Sequence, residues 1–365
     1  MLPPNASPDL AALEAAFETP AERALGAAND TGFAAHRGPE PAPFRLTTAD
    51  GVHLAARWYE PATPVRAVAL ISAATGVPQR YYRHFAAWLT SRGYAVLSYD
   101  YRGIGESRRG ALRADPSRMR DWALLDMPAA LAEVERRRAA GVALGRPEQP
   151  RPPRGADDAQ RRPGGTDLLP LLLIGHSFGG NAIGLVDGVE RADALLGIAA
   201  QSGEWRLWPG YHRLFTHLFF HALLPAAAHL FGRVPGWVMG GSGAGLPKGV
   251  ALDWARWGRR RGYLFDDPAL AAHIEGYRSF AGTAHLWNIT DDWTYGPPAA
   301  VNALAERFTR ARVQRPTLDA RALGAGPIGH FGAFRAALGA RIWPQWLERI
   351  EAATPALRRA GLASA

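Results

Sequence analysis

The chain has 365 residues, 47% of them hydrophobic, enough to bury one large core or two modest ones. It has no cysteine, which excludes disulfides and thiolate metal sites and suits a reducing, cytoplasmic setting. The formal charge is +9, but Lys248 is the only lysine and the arginines are scattered without a recognition motif, so the basic balance reads as composition and no nucleic-acid partner is expected.

Residues 1–40 are rich in Ala, Pro and Glu and read as a disordered extension, with helical spacing over Asp9–Ala28 broken at Pro20. No secretory signal is read there, because Asp9, Glu14 and Glu18 interrupt any apolar run. Phe44 to Glu60 reads as a hairpin turning at Asp50-Gly51. Ala67–Ile71 and Ala95–Tyr99 are short apolar strands, and Arg80 to Arg92 between them has helical spacing with Gly93 as its stop. Trp122 to Ala140 is again helical in pattern. Arg146 to Gly165 is Pro/Arg/Gly-rich with almost nothing apolar to bury, so it reads as a flexible loop.

Leu171 to Ile174 is a continuous apolar run, as expected of a strand buried on both faces of a parallel sheet. It leads into Gly175-His176-Ser177-Phe178-Gly179, a G-x-S-x-G, and then a helix-like segment from Asn181. A serine on a sharp strand-to-helix turn sits in strained backbone, and small residues on either side let neighbouring backbone pass close by. Such a turn lifts the Ser177 hydroxyl above the sheet and puts the Phe178 N–H at a helix N-terminus, aimed at a developing oxyanion.

Ala192 to Ala200 is the next strand, and Ala284 to Ile289 the one after it. The segment between them, 204–282, is far longer than a crossover needs. It is rich in aromatics and reads as a mostly helical cap over the C-terminal sheet edge, where open α/β sheets bind ligands. Its longest apolar stretch, Leu214 to Phe231, carries His217, His221, Pro225 and His229, so no stable membrane insertion is expected. His217 and His221 share a helix face, but no third ligand joins them and no metal site is read. Thr290-Asp291-Asp292 ends the strand after the cap. A helix from Pro298 to Arg310, a strand over Val313–Leu318, His330 in a Gly-rich loop and a terminal helix with Trp343 and Trp346 complete the chain.

A serine hydroxyl needs a base, and the base needs an acid to fix its tautomer. Ser177, then Asp291-Asp292, then His330 follow the chain order serine, acid, histidine of the fold type that carries such an elbow. With Asp100-Tyr-Arg-Gly-Ile-Gly-Glu-Ser107, Gly175–Gly180 and Gly329-His330, the sequence resembles the α/β-hydrolases. More narrowly it is similar to bacterial predicted hydrolases that share Ala74–Tyr82, Trp205–Pro209, Thr290–Trp293 and Ile328–Phe331. The resemblance covers residues 44 to 350 and implies a mostly parallel central sheet with helices on both faces. It implies a core of residues 41–203 and 283–355, with the cap at 204–282. It also implies Ser177 as nucleophile, His330 as base and one of the two aspartates as acid. The family's usual proline spacing after the acid is not kept, because Pro297 lies five residues after Asp292 and six after Asp291. Asp292 is favoured and Asp291 stays open, since adjacent carboxylates cannot both face the imidazole. Phe178 and Ala74 are the expected backbone oxyanion donors, with Ser72-Ala73 standing where many relatives have His-Gly. Tyr81, Trp208 and Phe219 are the expected substrate contacts.

The expected reaction is hydrolysis of an ester or thioester with an apolar acyl group, through an acyl-enzyme and without metal or organic cofactor. Acyl transfer on the same triad and a non-catalytic ligand-binding role are the alternatives. No motif sets an oligomeric state.

Overall fold

The computed structural model describes residues 40–143, 168–239, 245–324 and 326–362. The expected N-terminal extension with its Asp9–Ala28 helix, apart from residue 40, and all of the Arg146–Gly165 loop lie outside them, so neither expectation is addressed by the structure.

Among the described residues, nine strands form one mixed sheet in the order β1-β2-β4-β3-β5-β6-β9-β10, with β11 (Thr317–Leu318) also paired to β9 and β10 being Arg312–Gln314. The first two strands, β1 (Phe44–Thr47) and β2 (His53–Tyr59), are the expected antiparallel hairpin, turning through Gly51 at φ +79°. The central strands β3 (Ala67–Ser72), β4 (Tyr94–Tyr99), β5 (Leu171–His176), β6 (Ala194–Ile198) and β9 (Thr283–Ile289) are buried at every position. These are the unbroken apolar runs of the sequence, and burial on both faces is why they do not alternate. From β4 across to β10 the pairing is parallel, with Ile71 opposite Ile174 and Ile174 opposite Leu196. The carboxyl ends of β3, β5, β6 and β9 therefore open at one edge.

Several elements differ from expectation. The segment Arg80–Arg92 begins as a tight 3-10 turn, Gln79–Tyr82, before the α-helix Arg83–Thr90. The segment after Ser177 is one helical turn, Phe178–Asn181, followed by the 3-10 turn Ile183–Leu185. That turn packs tightly on Tyr277: a Cβ at Gly184 would fall 2.4 Å from its ring. The expected strand at 313–318 is split into β10 (Arg312–Gln314) and β11 (Thr317–Leu318), with Arg315-Pro316 between. Proline has no N–H to donate to a ladder, so the strand cannot run through it.

The helix Ala336–Ala353, which a short helix Pro355–Leu362 follows, lays Trp343 and Trp346 against Phe85, with ring centroids 5.3 and 5.7 Å apart. Each such aromatic pair adds about 0.5–1.5 kcal/mol beyond its buried area. Trp346 also meets Trp287 of the strand Thr283–Ile289 and Phe334 just after the His330 turn, so the cluster ties this helix to the sheet and to the His330 segment.

The segment between β6 and β9 is mostly helical, with helices Gly210–Leu218, Leu224–Leu230 and Lys248–Arg259. It also holds a small antiparallel pair not foreseen from the sequence, β7 (Arg233–Val234) with β8 (Leu246–Pro247). Among the described residues, no helix is long and apolar enough to cross a membrane.

Candidate active site

Ser177 stands immediately after β5 at φ +51°, ψ −114°, a conformation that side chains other than glycine rarely adopt. Its surroundings enforce it. A Cβ at Gly175 would lie 2.3 Å from Gly180 Cα, and one at Gly179 would lie 2.2 Å from the Ser72 carbonyl oxygen. The backbones of β3, β5 and the following turn thus touch where only glycine fits. The Ser177 amide donates to the Ile198 carbonyl at 3.0 Å, fastening the turn to β6.

His330 sits on the one-turn helix Gly329–Gly332, a turn where the sequence suggests a loop. Its Nδ1 lies 2.6 Å from Asp292 Oδ2, and both side chains are almost fully buried. A carboxylate only accepts, so the proton of this bond is on Nδ1 and Nε2 is left as the basic nitrogen. The second Asp292 oxygen accepts from the Tyr295 amide at 3.2 Å. Asp291 faces the other way. Its two oxygens accept from the Ile328 and Gly329 amides at 2.8 and 2.9 Å, so it clamps the segment that carries His330.

Ser177 and His330 open into one cavity of about 340 Å³. Its floor includes Ala74, Thr75 and Gln201, and its walls include Trp208, Phe219 and Trp254. Of the three expected substrate contacts, Trp208 and Phe219 line it and Tyr81 does not. Tyr81 is buried with its hydroxyl donating to the Phe331 carbonyl at 2.6 Å, behind the His330 turn. That expectation is corrected: the 3-10 turn Gln79–Tyr82 aims the Tyr81 hydroxyl at the histidine segment.

The expected oxyanion donor Ala74 also needs correction. Its amide already donates to the Tyr82 hydroxyl at 2.9 Å. Thr75, one residue on, lines the cavity as well, and among the described residues neither the Thr75 nor the Phe178 amide has an acceptor.

Three residues outside the expected set of site residues enter the site. Gln201 Nε2 donates to the Tyr295 carbonyl at 3.0 Å and reaches Ser177 Oγ at 3.4 Å. Tyr82 and His176 form a buried chain behind the His330–Asp292 pair. His176 Nε2 lies 2.9 Å from the His330 carbonyl, and His176 Nδ1 lies 2.8 Å from the Tyr82 hydroxyl. Burial, then the nearby His330, hold the His176 pKa well below the ordinary histidine value, so it is neutral. A carbonyl only accepts, hence Nε2 carries the proton and Nδ1 accepts from Tyr82, which in turn accepts from Ala74. Every direction in this chain is fixed, and it joins the loop after β3 to the backbone of the histidine segment. The only sequence signals were the helical spacing of Tyr82 with Phe85, Ala86 and Leu89 and the position of His176 beside the serine.

The sheet order, the strained serine after β5 and the buried His–Asp pair beyond β9 define the α/β-hydrolase fold. Solved structures share it. A soluble variant of monoglyceride lipase from Saccharomyces cerevisiae superposes with a TM-score of 0.55 at 14% identity, covering 87% of this chain and 97% of that one. Brefeldin A esterase, described as a bacterial homologue of human hormone sensitive lipase, gives a TM-score of 0.55 at 17% identity, covering 98% of this chain and 89% of that one. At these identities the likeness concerns the fold. No family model matches the sequence, and no curated protein matches it.

Proposed function

We propose that this chain is a serine hydrolase that cleaves a carboxylic ester or thioester with an apolar acyl group. One observation carries the reading: a strained serine and a histidine held by a buried carboxylate at 2.6 Å open into the same apolar-walled cavity. In the first step His330 Nε2 takes the Ser177 hydroxyl proton as Oγ bonds to the substrate carbonyl carbon. The carbonyl oxygen gains the negative charge, facing the amides of Phe178 and Thr75. Asp292 stabilises the imidazolium. The intermediate collapses, the alcohol or thiol leaves with the proton from His330, and the acyl group stays on Ser177. A water, deprotonated by His330, then releases the acid and restores the serine. Residues 41–203 and 283–355 supply this machinery, and residues 204–282 act as the cap that selects the acyl group.

A fluorophosphonate probe tests the reading directly. Ser177 should carry the adduct, Ser177→Ala and His330→Ala should each abolish it, and p-nitrophenyl ester turnover should be lost with it. An adduct on another serine with Ser177 unmodified, or undiminished turnover by Ser177→Ala, would overturn the assignment.

A further inference from the structure

The helix Gly210–Leu218 turns an apolar face outward. Tyr211 is 78% exposed, Leu214 71%, Phe215 49% and Leu218 47%. Their i, i+3, i+4, i+7 spacing is the stripe that a helix of a globular protein ordinarily buries. Beyond it Leu230 is 80% exposed, and Phe231 packs edge-on against Trp237, itself 70% exposed. Phe215 and Trp237 also line the cavity above Ser177, so the exposed apolar surface is continuous with the cavity mouth. An apolar surface of this kind, running to the rim of a pocket, marks an interaction site.

The charge of the same segment selects the occupant. From Trp205 to Leu252 there is no Asp or Glu, while Arg213, Arg233 and Lys248 fall within it and Arg206 pairs back to Glu204 at 3.4 Å. A second copy of the chain seated face to face would set these cations against their own kind with no carboxylate from the segment to pair them. A surface that is apolar inside and anionic at its headgroups complements both features. The helices are too short and too interrupted by His217, His221 and Pro225 to cross such a surface, so they would lie along it. We propose that this face docks on an anionic phospholipid bilayer, with Tyr211, Leu214, Leu218 and Leu230 in the interfacial layer and the cavity mouth turned toward it. An apolar substrate would then enter the cavity from the lipid side.

Binding does not depend on the hydrolase reading, so the test uses the full-length Ser177→Ala protein. It is floated with vesicles of phosphatidylcholine alone and of phosphatidylcholine mixed with phosphatidylglycerol. The protein should float with the anionic vesicles, much less with the neutral ones, and progressively less as salt is raised. Leu214→Ser with Leu230→Ser should lower the partition coefficient about tenfold or more, because each loses apolar area from the interfacial layer. Both leucines are exposed and lie outside the cavity lining, so the melting temperature should not change. Failure to float with anionic vesicles, or flotation indifferent to the two substitutions, overturns the proposal. So does a concentration-dependent dimer that these substitutions dissolve, since the face would then belong to a second copy.

Discussion

Replacing each aspartate of the Asp291-Asp292 pair by asparagine separates a triad acid from a loop clamp, and the hydrogen bonds say how. Asp292 receives two donors, His330 Nδ1–H on one oxygen and the Tyr295 amide on the other. Asparagine offers one acceptor and one donor, so only one partner can be kept as it is. The Tyr295 amide cannot reverse, whereas the imidazole can move its proton. The amide oxygen therefore turns to Tyr295, the NH2 faces His330, and the proton shifts to Nε2, where it blocks the base. An amide at this position costs about 10⁴ in kcat in triads of this kind, equivalent to about 5 kcal/mol of transition-state stabilisation. The size of the side chain is unchanged, so stability should change little. Asp291 faces two backbone amides, and neither can reverse. Asp291→Asn must leave one of them facing an NH2, at a cost of about 1.5–3 kcal/mol for a lost bond to a charged acceptor. That loss should fall on stability first, with kcat reduced by about tenfold or less. The assays are kcat on a p-nitrophenyl ester and the urea midpoint, with the low-field Nδ1–H proton resonance of His330 as an independent readout. The resonance should vanish in Asp292→Asn and persist in Asp291→Asn. Equal kcat losses, or the larger loss in Asp291→Asn, would refute the reasoning.

Three further outcomes are expected. Tyr82→Phe deletes a hydroxyl that satisfies both the Ala74 amide and His176 Nδ1, so it should lower the unfolding free energy by about 2–4 kcal/mol in a urea titration, and an unchanged midpoint would show the chain is not made. Phe219→Ala should weaken the preference for longer acyl chains in a kcat/KM series from acetyl to decanoyl esters, with each methylene the wild type buries worth about 0.8 kcal/mol, while turnover of the acetyl ester changes least; a series unaltered by the substitution would remove Phe219 from the acyl site. His285 is fully buried on β9, neither ring nitrogen has a hydrogen-bond partner among the described residues, and burial, then Arg349, lower its pKa to about 4. The unfolded chain takes up a proton on this residue near pH 6.5, the native one only near 4, so wild type loses stability as pH falls through that window. His285→Leu should escape the loss, gaining about 2 kcal/mol more at pH about 5 than at pH about 8, and a difference that is flat with pH would refute the shift.

What could be read in the sequence follows physical range. The buried strands and the turn at Ser177 were legible because their causes are local. Unbroken apolar runs mean burial on both faces, and Gly175 and Gly179 are required where backbones touch. The choice between Asp291 and Asp292 was less legible, because the partners that distinguish them, the Ile328 and Gly329 amides against the His330 ring, arrive from a segment far along the chain. Tyr81 and Ala74 show the same limit from the other side. Adjacent tyrosines on a 3-10 turn point in directions about 120° apart. The second of them, Tyr82, carries the hydroxyl that occupies Ala74. No periodicity in Ala74–Tyr82 announces that bond.

The division also explains why the substrate is less legible than the chemistry. The proposed nucleophile, base and acid each sit near the end of a strand or on a short turn tied to the sheet, so chain order and residue type constrain them. The cavity walls come from helices between β6 and β9 that touch one another more than they touch the sheet's own pattern, as the Phe219–Trp254 and Phe220–Trp254 ring pairs do at 5.7 and 5.6 Å. An aromatic there is apolar whether it packs a neighbour or faces the cavity, and sequence alone cannot tell these apart. Exposure can. Phe220 is buried, whereas Tyr211 and Leu214 on the preceding turns are open to solvent, and that contrast separates an internal wall from a surface shaped for something outside the chain.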